Sequence, residues 1–299
     1  IPETVTYNGE EYKVIDVGNG KSSIIDTEST VEKIVLSKNV IAVSDYAFNT
    51  FKRVSSIEYS ENLMTIGSYA FAGSTGIYET LAIKENVREV KAVAFEGTVI
   101  NEIIIESGVK AIGERAFYTT RGTFNDKTLN IPATVDYIGV GAFAGYKANN
   151  IVVDSANVNY ASIDNTLLTD KSNTTIYQYA IGNGRTEYTI PSGIKTIAGY
   201  AFSEADNLQK VTLDSATTTI GEATFKNAEN LKAVENTTAL VTIGQEAFAN
   251  TALVTFELSS NVTNIEAKAF KNTKLTSIYV PSSVTQIGRE AFASNTSMS

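Results

Sequence analysis

A chain of 299 residues with 43% hydrophobic and 19% charged content has the composition of a folded protein, not a disordered one. Its formal charge of −9 repels a polyanionic backbone and argues against nucleic-acid partners. With no cysteine and no histidine there are no thiol nucleophiles, disulfides, imidazole bases or zinc sites built on sulfur or imidazole, and no apolar run approaches the ~18 residues of a membrane span.

From the N-terminus, "VTYNGEEYKV" at 5–14 predicts a hairpin turning at Asn8-Gly9. "VIDVGNG" then reads as a decayed repeat without its phenylalanine, so that 1–30 is expected to be a terminal cap with a wet outer face. The chain opens on Ile1, which we read as a trimmed signal or anchor.

A repeat then takes over. Ten of the 13 phenylalanines fall in register: Phe48, Phe71, Phe95, Phe117, Phe143, Phe202, Phe225, Phe248, Phe270 and Phe292. Five residues before each lies valine or isoleucine, from Val43 to Ile287; eight before lies an aliphatic residue, Thr217 excepted. Upstream, "VEKIVLS", "LVTFELS" and "LTSIYVP" alternate as short strands with one buried face. Glycine or asparagine two residues after the phenylalanine (Gly73, Gly97, Gly145, Asn227, Asn250, Asn272) suits a left-handed turn. A unit of ~23 residues cannot bury its own apolar edge, so units must stack, pairing strands at ~4.8 Å and laying phenylalanine on phenylalanine. The expected fold is mostly β: a right-handed solenoid of ~22–24-residue units, with short strands on a concave face and turns or short helical pieces on the return arm.

The chain is read as one solenoid over 1–299, with a first repeat block at 31–150, a β-hairpin-rich extended unit at 151–189, and a second block at 190–299. The extended unit fills the 59-residue gap between Phe143 and Phe202 with β-rich runs split at Asp164-Asn165, at "DKSN" and at Gly182-Asn183-Gly184. It is either a protruding binding feature using Tyr160, Tyr177 and Tyr179, or, the reading we prefer, an enlarged repeat whose tyrosines cover the core. Only seven residues follow Phe292, which reads as a fragment of a longer protein or a loosely capped last unit.

The pattern "LxxIxIPxxVxxIGxxAF" resembles the BspA-like leucine-rich repeats of bacterial surface proteins over roughly residues 31–293. It departs from the family habit in carrying small residues (Ser74, Thr98, Thr251, Thr273) where a cysteine often follows, and proline after the strand only at Pro132, Pro191 and Pro281. The extended unit also resembles an element recurring in that family. The resemblance implies export, display at the cell surface and adhesion to components of a host or neighbouring cell.

Candidate ligand-binding residues are the apolar or aromatic groups that leave the buried register: Val35, Ile104 and Tyr279 in the concave phase, Tyr177 and Tyr179 in the extended unit. Glu235 and Glu257 share a phase in adjacent units, so their Cα atoms are expected about 5 Å apart. Two carboxylates at that separation could serve a glycosidase, but nothing here would bury one of them, and a solvated acidic strip is the plainer reading. No aspartate-rich calcium loop and no phosphate-cradling glycine loop occurs, and the glycines of "IGxxAF" read as repeat turns. The expected function is therefore extracellular, non-enzymatic recognition of a protein or glycan, with no cofactor, no metal and no catalytic residue. A structural spacer presenting another domain is the alternative, and a carboxylate-based glycan hydrolase a distant third.

Overall fold

The computed structural model describes residues 1–24, 30–49, 51–74, 76–119 and 127–298, with the backbone alone at Ile77. Residues 25–29 of the expected cap lie outside the described residues. The chain forms two compact units, Ile1–Tyr146 with Val153–Asn159, and Lys147–Val152 with Tyr160–Ser299.

The first unit begins with the expected hairpin: Thr4–Tyr7 pairs antiparallel with Glu10–Lys13, and Asn8 (φ 51) and Gly9 (φ 83) make its left-handed turn. The decayed repeat follows, because Asp16–Val17 pairs with Ala42–Val43 as one more rung. Six two-residue parallel strands then stack without a break, from Asp16–Val17 to Tyr137–Ile138. Beside them the rings of Phe48, Phe71, Phe95, Phe117 and Phe143 lie 5.0–5.6 Å apart centroid to centroid, within 16° of parallel. All five are buried.

In the second unit Tyr160–Ile163, Leu167–Asp170 and Thr175–Tyr179 form the antiparallel meander. Its last strand also pairs in parallel with Thr196–Ile197, which starts an unbroken run of two-residue strands to Gln286–Ile287. Phenylalanines stack here too, from Phe202 to Phe292 at 5.1–5.5 Å. Thr217, the one polar residue in its column, is buried because its hydroxyl donates to the Ile194 carbonyl at 2.8 Å.

Two-residue strands are too short to specify a sheet alone, and two devices hold these in place. Glycine before the phenylalanine lets neighbouring rungs touch: a Cβ at Gly244 would lie 2.5 Å from the Gly221 carbonyl carbon. These glycines are therefore close-approach residues and not the turn residues expected from the sequence. The turns come on either side of the phenylalanine. The predicted left-handed position two residues after it holds, at Gly73, Gly97, Gly145, Asn227, Asn250 and Asn272. A second lies two residues before it, at Tyr46, Val93, Arg115, Lys268 and others, where the residue types give no hint of it. The return arms are turns, with one 3-10 turn at Thr237–Ala239 among the described residues. Each unit is thus a mostly β solenoid with nearly no helix, repeating at about 23 residues.

Candidate functional site

The other strand column, read from the alternating segments, is built differently. In the first unit Lys33–Val35 pairs with Ser56–Glu58, and Leu81–Ile83 pairs with Ile103–Ile105. In the second, Glu187–Thr189, Lys210–Thr212 and Ala233–Glu235 form a three-stranded parallel sheet. The next two repeats, expected to add strands at "LVTFELS" and "LTSIYVP", carry none. Val254 N–H donates to the Lys232 carbonyl at 3.3 Å and Thr276 N–H to Val254 at 3.4 Å, after which no backbone hydrogen bond joins these segments among the described residues, although the Thr237 hydroxyl still reaches the Glu257 carbonyl at 2.7 Å.

One side chain differs here. Phe256 occupies the inward position held by Val211 and Val234 in the two preceding rungs, and packs 5.0 Å from both Phe248 and Phe270. A benzyl group is larger than the valines it follows, which sets this rung apart from the two before it. Beside it lies a groove of about 800 Å³ lined by Glu235, Thr237, Thr255, Glu257, Ser277 and Tyr279 among others.

Three of the seven sequence candidates meet in this groove. Tyr279 is 81% exposed, so its ring stands in solvent. Glu235 and Glu257 are exposed as well, and neither is enclosed as a glycosidase acid must be. Glu235 faces Lys210 at 3.7 Å, while Glu257 has no ion-pair partner among the described residues. No lysine or arginine lines the groove.

The other candidates are scattered. Val35 and Ile104 stand exposed on Lys33–Val35 and Ile103–Ile105, two separately paired strands of the first unit. Tyr177 is half-buried with its ring edge on Tyr160, 5.5 Å away. Tyr179 is corrected by the structure: it is 1% exposed, stacked on Phe202 at 4.7 Å, and its hydroxyl donates to Asn183 Oδ1 at 3.0 Å. It serves as the first ring of the second unit's stack, which leaves a partner nothing to touch. Its distance of 23 residues from Phe202, one repeat period, was the available signal.

Sequence reasoning also missed Tyr59 and Tyr78, which line a second cavity in the first unit. The signal was register: Tyr59 takes the inward place of Leu36, and Tyr78 that of Ile100. Among the described residues, no three acidic residues gather as a metal site, and no helix is long and apolar enough to cross a membrane.

The family model described as BspA type leucine rich repeat region (6 copies) matches residues 26–150, 118–182 and 174–299. Among solved structures, a leucine rich cell surface protein from Faecalibacterium prausnitzii is 24% identical with a TM-score of 0.78, over 100% of this chain and 85% of that one. The pneumococcal vaccine antigen PcpA is 19% identical with a TM-score of 0.74, over 100% of this chain and 69% of that one. A leucine-rich repeat protein from Eubacterium ventriosum is 21% identical with a TM-score of 0.68, over 95% and 89%. At these identities the likeness is one of fold. No curated protein matches the chain.

Proposed function

We propose that this chain, which belongs to the BspA type leucine-rich repeat family, is a non-enzymatic binding module that works outside the cell and adheres to a protein or glycan of a host or neighbouring cell. The observation that carries the reading is the groove between Ala233–Glu235 and the unpaired segments that follow it. A solvent-exposed tyrosine beside two uncovered carboxylates has little to do for stability. Tyrosine brings large contact area at low entropic cost, and Glu257, which has no ion-pair partner among the described residues, favours a basic partner surface. Display at the cell surface is supported by the solved relative described as a leucine rich cell surface protein.

Surface plasmon resonance against immobilised matrix proteins and glycans tests this. Binding is expected to weaken at least tenfold in Tyr279→Ala, about 1.4 kcal/mol, and to fall as salt screens Glu235 and Glu257. Equal binding by the wild type and the variant would remove the groove from the reading.

A further inference from the structure

The groove of the second unit carries one position of the repeat three times over. Glu235, Glu257 and Tyr279 stand 22 residues apart in successive repeats, so all three take the same strand phase. Val254 N–H donates to the Lys232 carbonyl, and Lys274 N–H to the Leu253 carbonyl at 2.9 Å, so the three segments start side by side. Tyr279 and both glutamates are exposed to solvent.

Charge is spread unevenly among them. Glu235 shares Lys210 with Glu187, at 3.7 and 3.4 Å, whereas Glu257 has no ion-pair partner among the described residues. Lys232 and Lys274, at the starts of these segments, lie outside the lining of the groove. The lining beside Glu257 is neutral: Thr255, Ser277 and Tyr279, with buried Val234 and Phe256.

An uncompensated carboxylate next to an open aromatic ring selects among ligands. A neutral saccharide laid over Glu257 strips water from a carboxylate and returns no counter-charge. An anion is repelled. A calcium ion takes about six to eight oxygens, and no three acidic residues gather among the described residues. A cationic side chain meets both features. The ammonium of lysine is a compact, strongly hydrated charge, while the guanidinium of arginine is planar and weakly hydrated. Its face stacks on an aromatic ring and its edge forks onto a carboxylate.

We propose that the groove reads an arginine of a protein partner, with the guanidinium face on the Tyr279 ring and its N–H edge on the Glu257 carboxylate. This rests on the binding reading above and commits it to a protein ligand. Glu235, already shared with Lys210, adds only longer-range attraction.

Nuclear magnetic resonance titration of the whole chain tests it. The probes are capped glycine-serine peptides carrying a single arginine, citrulline, lysine or glutamate, with cellobiose and N-acetylglucosamine as neutral sugars. Citrulline keeps the shape of arginine and removes its charge. The variants are Glu257→Gln, Tyr279→Ala, Tyr279→Phe, which keeps the ring, and Tyr137→Ala, which changes an exposed tyrosine of the first unit. Saturable binding of the arginine peptide is expected, weaker for lysine and at least tenfold weaker for citrulline. It should fall at least tenfold in Glu257→Gln and Tyr279→Ala, stay within about twofold in Tyr279→Phe, and not change in Tyr137→Ala. No saturable binding of the arginine peptide overturns the proposal, as does equal binding of arginine and either lysine or citrulline, or binding of the sugars in its place. If Tyr279→Ala weakens adhesion to matrix proteins while the arginine peptide does not bind, the groove remains an adhesion site and arginine is not what it reads. If the peptide binds and adhesion is indifferent to Tyr279→Ala, the arginine site stands and the adhesive role of the groove falls.

Discussion

Within each unit the two strand columns are made by the same repeats, yet one is continuous and the other broken. The two-residue strands run unbroken beside the stacked phenylalanines, while the longer three-residue strands separate into pairs and a triplet. Strand length therefore does not decide continuity here. Packing does. On the continuous side nearly every rung offers a phenylalanine and most offer a glycine, so neighbouring backbones meet at one spacing. On the other side the rungs differ, as where Phe256 stands in the place of Val211 and Val234 in the second unit, and the ladder is open there beside the exposed Glu257 and Tyr279.

The sharpest way to break this comparison is to damage the continuous side. Phe248→Ala should cost roughly 3–5 kcal/mol in urea unfolding, because its ring contacts Phe225, Phe256 and Phe270 and leaves a cavity that two-residue strands cannot collapse. Next comes Gly244→Ala, whose methyl would press on the Gly221 backbone and is expected to cost about 1–3 kcal/mol. A smaller change there would show that rung spacing is more elastic than the stack implies.

Two carboxylates on the turns give effects of opposite sign with pH. Glu204 stands two residues after Phe202, the register of Asn227, Asn250 and Asn272, whose side chains hydrogen-bond one to the next. Its Oε1 is buried without a partner, and burial, with Asp206 adding, raises its pKa to about 7. A raised acid stabilises the fold most below its unfolded pKa of about 4.5, and loses that contribution as pH rises through about 7. Glu204→Gln should therefore raise the melting temperature at pH 8 and have little effect near pH 4.5, as checked by thermal melts across that range. Glu246 is the reverse. The Lys226 ammonium, with Lys268 on its other side, holds its carboxyl below the usual range. Its stabilisation is present above the unfolded pKa and is lost as pH falls through the lowered one. Glu246→Ala should cost about 0.5–1 kcal/mol at pH 7 and nothing at pH 2. The smallest effect is expected from Tyr279→Ala, within about half a kcal/mol in stability, since its side chain is almost wholly in water.

The continuous side was readable in the sequence because it is periodic: identical contacts demand the same residue at each turn, as the columns ending in Ile287 and Phe292 show. The broken side was less legible because its features are exceptions to that period. Tyr279 and the two glutamates could be placed on a strand phase, but their gathering in a groove depends on two repeats that carry no strand where the pattern expects one. Tyr179 follows the preferred reading, in which the tyrosines cover the core, and not its place among the binding candidates; offset hid its role, because it lies three residues after Ile176 where the repeat's phenylalanine lies five after its isoleucine. Glu246 looks like an exposed neighbour of Phe248 in the sequence, and only the left-handed turn at φ 55 brings it between lysines of the two flanking repeats.

Amide hydrogen exchange, resolved by residue across 233–292, tests the contrast most directly. The Gly244 amide donates to Ile220 of the preceding rung at 2.9 Å and the Phe248 amide to Ala269 of the following one at 2.8 Å, while those of Glu257, Ser277 and Tyr279 have no backbone acceptor among the described residues. Protection of the first pair by orders of magnitude, with the other three exchanging near the unstructured rate, is the predicted result. Equal protection of the two groups would mean that the second column is a closed sheet, and would contradict the account.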